Sequence, residues 1–267
     1  VTSVMGYVRS RDALEQAIFD QLTAARESKM RQVENYFRTI GNELRLLAAS
    51  KMVVDATRGF RIAVDELDQA GAPVELRDKV GAWYGKNFLP ELRRATGTEP
   101  ILADYLPARP GSYYLQYHYI VENPHPSGRR RLLDDAGDGS AYSKVHSVYH
   151  LLMRAAATTV GFDDFMLADA RTGRLVYTVD KDVDFATSFQ TGPYRHSNAA
   201  IAVARCATAA ERSATCLEDF ALYAPAIDEP TAFMAAPVID RGVVIGVLIA
   251  QLSDAEIDKI VTGGRRW

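Results

Sequence analysis

From about Ser10 to Ser50 the chain carries no proline, and Met30, Val33, Phe37, Ile40, Leu44 and Leu47 fall at alternating spacings of three and four. That period is the seam of a helix packed against another helix, and about forty such residues make a rod on the order of 60 Å long. A second helix is predicted over Val53 to Leu67, ended by Gly71-Ala72-Pro73, and a third over Val74 to Phe88, stopped near Pro90. After a polar connection rich in Gly and Pro the pattern turns toward strands. Tyr113 to Val121 (YYLQYHYIV) reads as the first, followed by a helix over Ser143 to Thr159. A hairpin comes next, with Phe165 to Ala168 and Leu175 to Val179 joined by Arg171-Thr172-Gly173, where glycine takes positive φ without strain. Asp219 to Tyr223, Ala232 to Ile239 and Val243 to Gln251 complete the strands, the last two joined at Asp240-Arg241-Gly242. Ser253 and Glu256 spell the capping box of a final helix. Helices first, then an antiparallel sheet of about five to six strands flanked by helices, make an α+β fold. The boundary falls near residue 100: a helical region over 1–100 and a sheet domain over 101–267.

With 267 residues, 48% of them hydrophobic, a sizeable core can form. The formal charge of −3, spread along the chain, offers no basic footprint for nucleic acid. No run reaches the roughly 18–20 apolar residues of a membrane span, and the first ten residues lack the pattern of a signal peptide. The chain opens into a helix without an initiator Met, which suggests a piece of a longer protein. Cys206 and Cys216, the only cysteines, flank a short polar stretch. They read either as a disulfide in an oxidising compartment or as two separate thiols, since spacing does not fix geometry. No CxxC pair supports a structural zinc site.

Polar and ionisable groups cluster in the strand-rich half. Alternation along Tyr113 to Val121 puts Tyr114, Gln116 and His118 on one face, a poor core surface unless each group finds a partner. In the hairpin Leu175, Tyr177, Val179 and Lys181 share a face, so Lys181 either meets an acidic ligand group or pairs with Asp184. Tyr142, His146 and Tyr149 line one side of the following helix. His146 and His150, four apart, have a metal-binding spacing, but the Glu of HExxH is missing. Arg129-Arg130-Arg131 reads as a solvated loop, and Asp134-Asp135 and Asp163-Asp164 as turn residues. There is no GxSxG elbow, no GxxxxGK loop and no GxGxxG after a strand, so the sequence names no enzyme class and calls for no cofactor.

The hairpin GFDDFMLADARTGRLVYTVDKDVDFATSFQTG resembles the central hairpin of the Cache (PDC, PAS-like) extracytoplasmic sensor domains of bacterial transmembrane receptors. ESKMRQVENYF, YLQYHYIVENPHP, YSKVHSVYH, TGPY at Thr191 to Tyr194, and FMAAPVIDRGVVIGVLIAQLSDAEIDKI extend the resemblance over nearly the whole chain. The RxWY signature of amino-acid-binding members is absent; the one Trp-Tyr pair, Trp83-Tyr84, lies in the helical part. The resemblance implies a non-catalytic, periplasmic ligand-sensing domain of a membrane-anchored receptor, dimeric through its long N-terminal helix. Its output would be a histidine kinase, cyclase or chemotaxis module. Tyr114, Gln116, His118, Tyr142, His146, Tyr149, Tyr177, Lys181 and Tyr194 are then the expected contacts of a small polar or anionic ligand. Two other readings stay open: a metal-dependent hydrolase centred on His146 and His150, and a structural module that binds a partner protein.

Overall fold

A computed structural model describes residues 2–208, 214–252 and 254–263. Its elements are α1 (Thr2–Ala48), α2 (Lys51–Ala70), α3 (Val74–Trp83), α4 (Leu89–Thr96), α5 (Pro110–Gln116), α6 (Ala141–Val160), β1 (Asp164–Asp169), β2 (Leu175–Thr178), α7 (Asn198–Ala207), β3 (Cys216–Tyr223), β4 (Glu229–Asp240), β5 (Val243–Leu252) and α8 (Asp254–Thr262). The five strands form one antiparallel sheet in the order β2-β1-β5-β4-β3, and the fold is α+β as expected. Ser253, the expected N-cap of α8, lies outside the described residues.

Packing divides the chain into two compact units, Val1–Ile40 with Ala255–Trp267, and Gly41–Asp254. In the first, Lys29 Nζ donates to the carbonyl of Ile260 at 2.6 Å, tying α8 to α1. Leu14, Ile18, Leu22 and Met30 are exposed there, and Val33 and Phe37 half-buried. No helix among the described residues is long and apolar enough to cross a membrane.

In the second unit the sheet is covered on both faces. One face presents Met166, Ala168, Phe233, Ala235, Val247 and Ile249 to α7 and to the aromatic residues Tyr84 and Phe88. The other is covered by α2 and α6, where Phe60 stacks on Tyr177 with ring centroids 4.9 Å apart. Burial on both sides explains why β1 reads as a continuous apolar run rather than an alternation. Gly246 of β5 sits where α2 comes closest: a Cβ there would lie 2.7 Å from Thr57 Cγ2 and 2.9 Å from the carbonyl of Ala168. Gly246→Ala is expected to cost about 1–3 kcal/mol through overpacking, readable as a lower urea midpoint at unchanged slope.

Two expectations are corrected. Tyr113 to Val121 is not a strand: α5 starts with Pro110 in its first turn and runs on through a π-helical turn at Tyr117–Val121. Its buried positions, Ser112, Leu115, Gln116, Tyr119 and Ile120, repeat at the helical period. Packing on α2 and α3 overrides the β propensity of the tyrosines. The third helix does not stop at Pro90. A π-helical turn at Tyr84–Phe88 carries it into α4, whose first turn tolerates the proline because its N–H would be unpaired there anyway. Of the two readings left open for the cysteines, separate thiols are found: Cys206 and Cys216 are both buried and free, and Cys206 Sγ donates to the carbonyl of Ala235 at 3.2 Å. Burial pushes the Cys206 thiol well up. Thiol reagents are therefore expected to leave the native protein untouched and to label both residues in denaturant.

Candidate functional site

The loop that follows β2 positions the site. The β1-β2 register pairs Leu167 with Tyr177 and Ala168 with Leu175, leaving Val176 as a bulge. The extra residue turns Leu175 to the α7 side while Tyr177 faces α2 and α6, so the common face expected for them does not form. Past β2 the chain bends at Lys181, whose φ of 60° lies in the left-handed region. Its backbone N–H donates to Thr178 Oγ1 at 2.9 Å, and its ammonium turns back onto the carbonyl of Thr178.

Lys181 is fully buried inside an aromatic box: Nζ lies 4.5 Å from the Tyr177 ring centroid, 5.5 Å from Phe185 and 5.9 Å from Tyr119. These contacts attract an ammonium but do not replace its hydration. Burial therefore lowers Lys181 from 10.5 to about 7, against the pull of Asp164 and Asp180. The salt link to Asp184 is not formed; Asp184 Oδ2 instead accepts from Tyr223 at 2.6 Å.

α6 closes the box. Ser140 caps it through Ser143 N–H at 3.0 Å, which sets the helix phase so that Tyr142, His146 and His150 face the sheet. The Tyr142 hydroxyl donates to the carbonyl of Val176 at 2.9 Å. The two imidazoles stack with centroids 4.2 Å apart. His150 is fully engaged, with Nε2 2.7 Å from the carbonyl of Arg131 and Nδ1 2.7 Å from the Tyr177 hydroxyl. The carbonyl can only accept, so Nε2 carries the proton and Nδ1 accepts from the tyrosine. By the same logic His146 Nδ1 donates to the carbonyl of Asp134 at 2.9 Å, and Nε2 is left as a bare acceptor, buried and without a partner. Burial, reinforced by the Lys181 charge, lowers both histidines, His150 to about 3, so both are neutral at pH 7.

Gln116 joins this cluster from α5, donating to the carbonyls of Val183 and Phe185 at 3.0 and 2.8 Å and accepting from Tyr84 at 3.0 Å. Both π-helical turns adjoin this contact, one opening at Tyr84 and the other following Gln116; such turns recur at functional sites. Of the nine expected contacts, Tyr142, His146, Tyr177 and Lys181 thus come together, and Gln116 meets them only through the backbone of Phe185; all five are fully buried. Tyr114 and His118 pack at a tilt of 46° with ring centroids 4.5 Å apart, both half-buried. Tyr149 is half-buried on α6. Tyr194 belongs to the α7 side, 6.3 Å from the Tyr223 ring, with its hydroxyl and Asp184 Oδ1 both buried and unpartnered.

Sequence reasoning missed Tyr119, Phe60 and Arg130. Tyr119 was placed on the wrong face by the strand reading, whereas helical spacing from Leu115 would have found it. Arg130, far from solvated, is buried with its guanidinium 5.0 Å from the Trp83 ring centroid and donates to the carbonyl of Lys181 at 3.2 Å. Arg131 is tied to Asp180 and Arg154 to Asp134. Among the described residues no group of three or more His, Cys, Asp or Glu is placed to hold a metal ion.

No family model matches the chain, and no curated protein matches it. Among solved structures it is similar to the sensor domain of the histidine kinase DctB from V. cholerae, at 14% identity and a TM-score of 0.32, over 64% of this chain and 57% of that one. The match spans less than two thirds of that domain.

Proposed function

We propose that this chain is the ligand-sensing part of a bacterial transmembrane receptor of the Cache type, and that the box around Lys181 takes a small polar or anionic molecule. One observation carries the reading: an ammonium buried without an anionic partner, sharing its Tyr119 and Tyr177 walls with an imidazole acceptor that has no donor. Such an arrangement is costly as plain core, since an unpaired buried polar group forfeits its hydration. A molecule presenting an anionic oxygen to Lys181 Nζ and a hydroxyl or N–H to His146 Nε2 relieves both deficits at once. A small hydroxy acid has that chemistry.

The same energetics supplies a signal. Every wall residue is buried, so a ligand enters only by shifting a covering segment, and its binding favours the shifted arrangement by its differential affinity. In this reading the change passes to the long N-terminal helix of a homodimer, and from there to a cytoplasmic kinase, cyclase or chemotaxis module, with the sensing part in the periplasm. The hydrolase alternative has little to stand on, because both nitrogens of His150 are already spent on protein partners.

A thermal-shift screen of organic acids, amines, sugars and divalent metals tests the proposal. A ligand at a hundred times its Kd adds about 2.7 kcal/mol, a rise of several degrees for a chain of this size. A hydroxy acid is expected to give that rise with the native chain and none with Lys181→Met. An equal rise with both proteins would place the ligand elsewhere.

A further inference from the structure

A separate cleft of about 460 Å³ opens at the turn of the β1-β2 hairpin, between α2, the start of α5 and the 186–193 segment. None of the residues assigned to the Lys181 box lines it. Its size falls within the range of small-molecule sites. Its wall is held in place by the chain itself: Ser188 Oγ accepts from the N–H groups of Gln190 and Thr191 at 3.1 and 3.2 Å, and Gly192 N–H donates to the Ser188 carbonyl at 2.7 Å. A Cβ on Gly192 would come within 2.5 Å of that carbonyl oxygen, so glycine is required for the wall to close.

The charges in the cleft are unevenly spent. Asp68 accepts from buried Arg174 at 2.6 Å and from Gly111 N–H at 2.9 Å. Asp169 accepts from the N–H of Arg171 and the hydroxyl of Thr172, both at 3.0 Å. The arginines outnumber the carboxylates, four to three, and three of them are held loosely. Arg109 reaches Asp68 at 3.3 Å through one nitrogen, and Arg171 reaches Asp65 at 3.4 Å and Asp169 at 3.9 Å through one nitrogen. Arg61 Nε lies 3.1 Å from Asp169 but is not aligned to donate, and it is buried with no hydrogen-bond acceptor. Each guanidinium carries five N–H donors in a planar fork suited to carboxylate and phosphate oxygens. The carboxylates are thus occupied while most donors of three arginines remain unspent around one cleft.

We propose that this cleft is a second binding site, for a small oxyanion held by Arg61, Arg109 and Arg171. It goes beyond the Lys181 reading and does not depend on it. Calorimetric titration of the full chain at low ionic strength with inorganic phosphate, sulfate and oxalate tests it. Saturable one-to-one binding of at least one probe is expected, weakened tenfold or more in the double variant Arg109→Gln/Arg171→Gln and unchanged in Lys181→Met. Both replaced arginines are exposed, so the variant is expected to melt as the native chain does. Asp65→Asn, which removes the carboxylate competing for Arg171, is expected to tighten binding several-fold. Absence of saturable binding by any probe would overturn the proposal, as would affinity unaltered in the double variant. Binding lost in Lys181→Met but kept in the arginine variant would place the anion in the Lys181 box instead.

Discussion

Lys181→Met is expected to make the protein more stable at pH 7, by about 1–3 kcal/mol, while abolishing its response to a ligand of the aromatic box. The lysine's fall from 10.5 to about 7 on burial corresponds to a penalty on the order of 5 kcal/mol against the charged form. Methionine has nearly the same shape and no charge to desolvate, and it can rest against Tyr177 and Phe185. Part of the gain is returned because the Thr178 carbonyl loses its donor, a cost of about 1–2 kcal/mol.

The pH dependence separates this account from a general packing effect. Between pH 7 and 10.5 the unfolded chain holds a proton on Lys181 that the folded chain does not, so this group makes native stability rise with pH across that window. Below about pH 7 both states are protonated and the penalty is fully present. The midpoint of the native protein should therefore climb between pH 7 and 10 relative to the variant, and the two curves should converge toward the alkaline end. A constant offset between them would refute a depressed lysine. The neutral histidines act in a lower window: as pH falls through 6.5 the unfolded chain gains protons that the folded His146 and His150 refuse, and stability drops in both proteins.

What could be read from the chain follows from how local each signal is. The hairpin was legible because its glycine turn and its two apolar runs lie within fifteen residues, and β1, β2, β4 and β5 fall within a few residues of their expected positions. The Val176 bulge was not, because it depends on how β2 meets β1 and not on any residue within it. The Tyr113 to Val121 segment misled because tyrosine favours strands, yet packing on α2 and α3 overrides that preference, and Asp68 of α2 adds a cap. That carboxylate accepts from Gly111 N–H at 2.9 Å and fixes the start of α5. α7 was missed among alanines, although Ser197, whose side chain accepts from Ala200 N–H, and the 199, 202, 203, 206 spacing of its buried residues were there to be used. At the site, His146 and Tyr142 were found because the i, i+4 relation is local. Gln116 was expected at the same site but on a strand; that a helix carries it there was not legible, because its contacts with Val183 and Phe185 span more than sixty residues.

Arg174→Met is expected to have the largest destabilising effect, about 3–5 kcal/mol. Arg174 stands at the start of the hairpin's second strand with 5% of its surface exposed, and it joins three parts of the fold. It donates to Asp68 of α2 at 2.6 Å, to Ser112 of α5 at 2.8 Å and to the carbonyl of Ala186 at 3.2 Å. The methionine would leave the Asp68 carboxylate largely buried with only Gly111 N–H and the distant Arg109 for partners, and the Ala186 carbonyl would lose this donor. The cost therefore comes from the stranded partners more than from the lost attraction. Asp68→Asn added to Arg174→Met should then restore stability, because an amide oxygen still accepts from Gly111 while the buried charge is gone. Recovery of about 1–3 kcal/mol in a double-mutant cycle by chemical denaturation is the expected coupling. Strict additivity would mean that the arginine serves only to fill space.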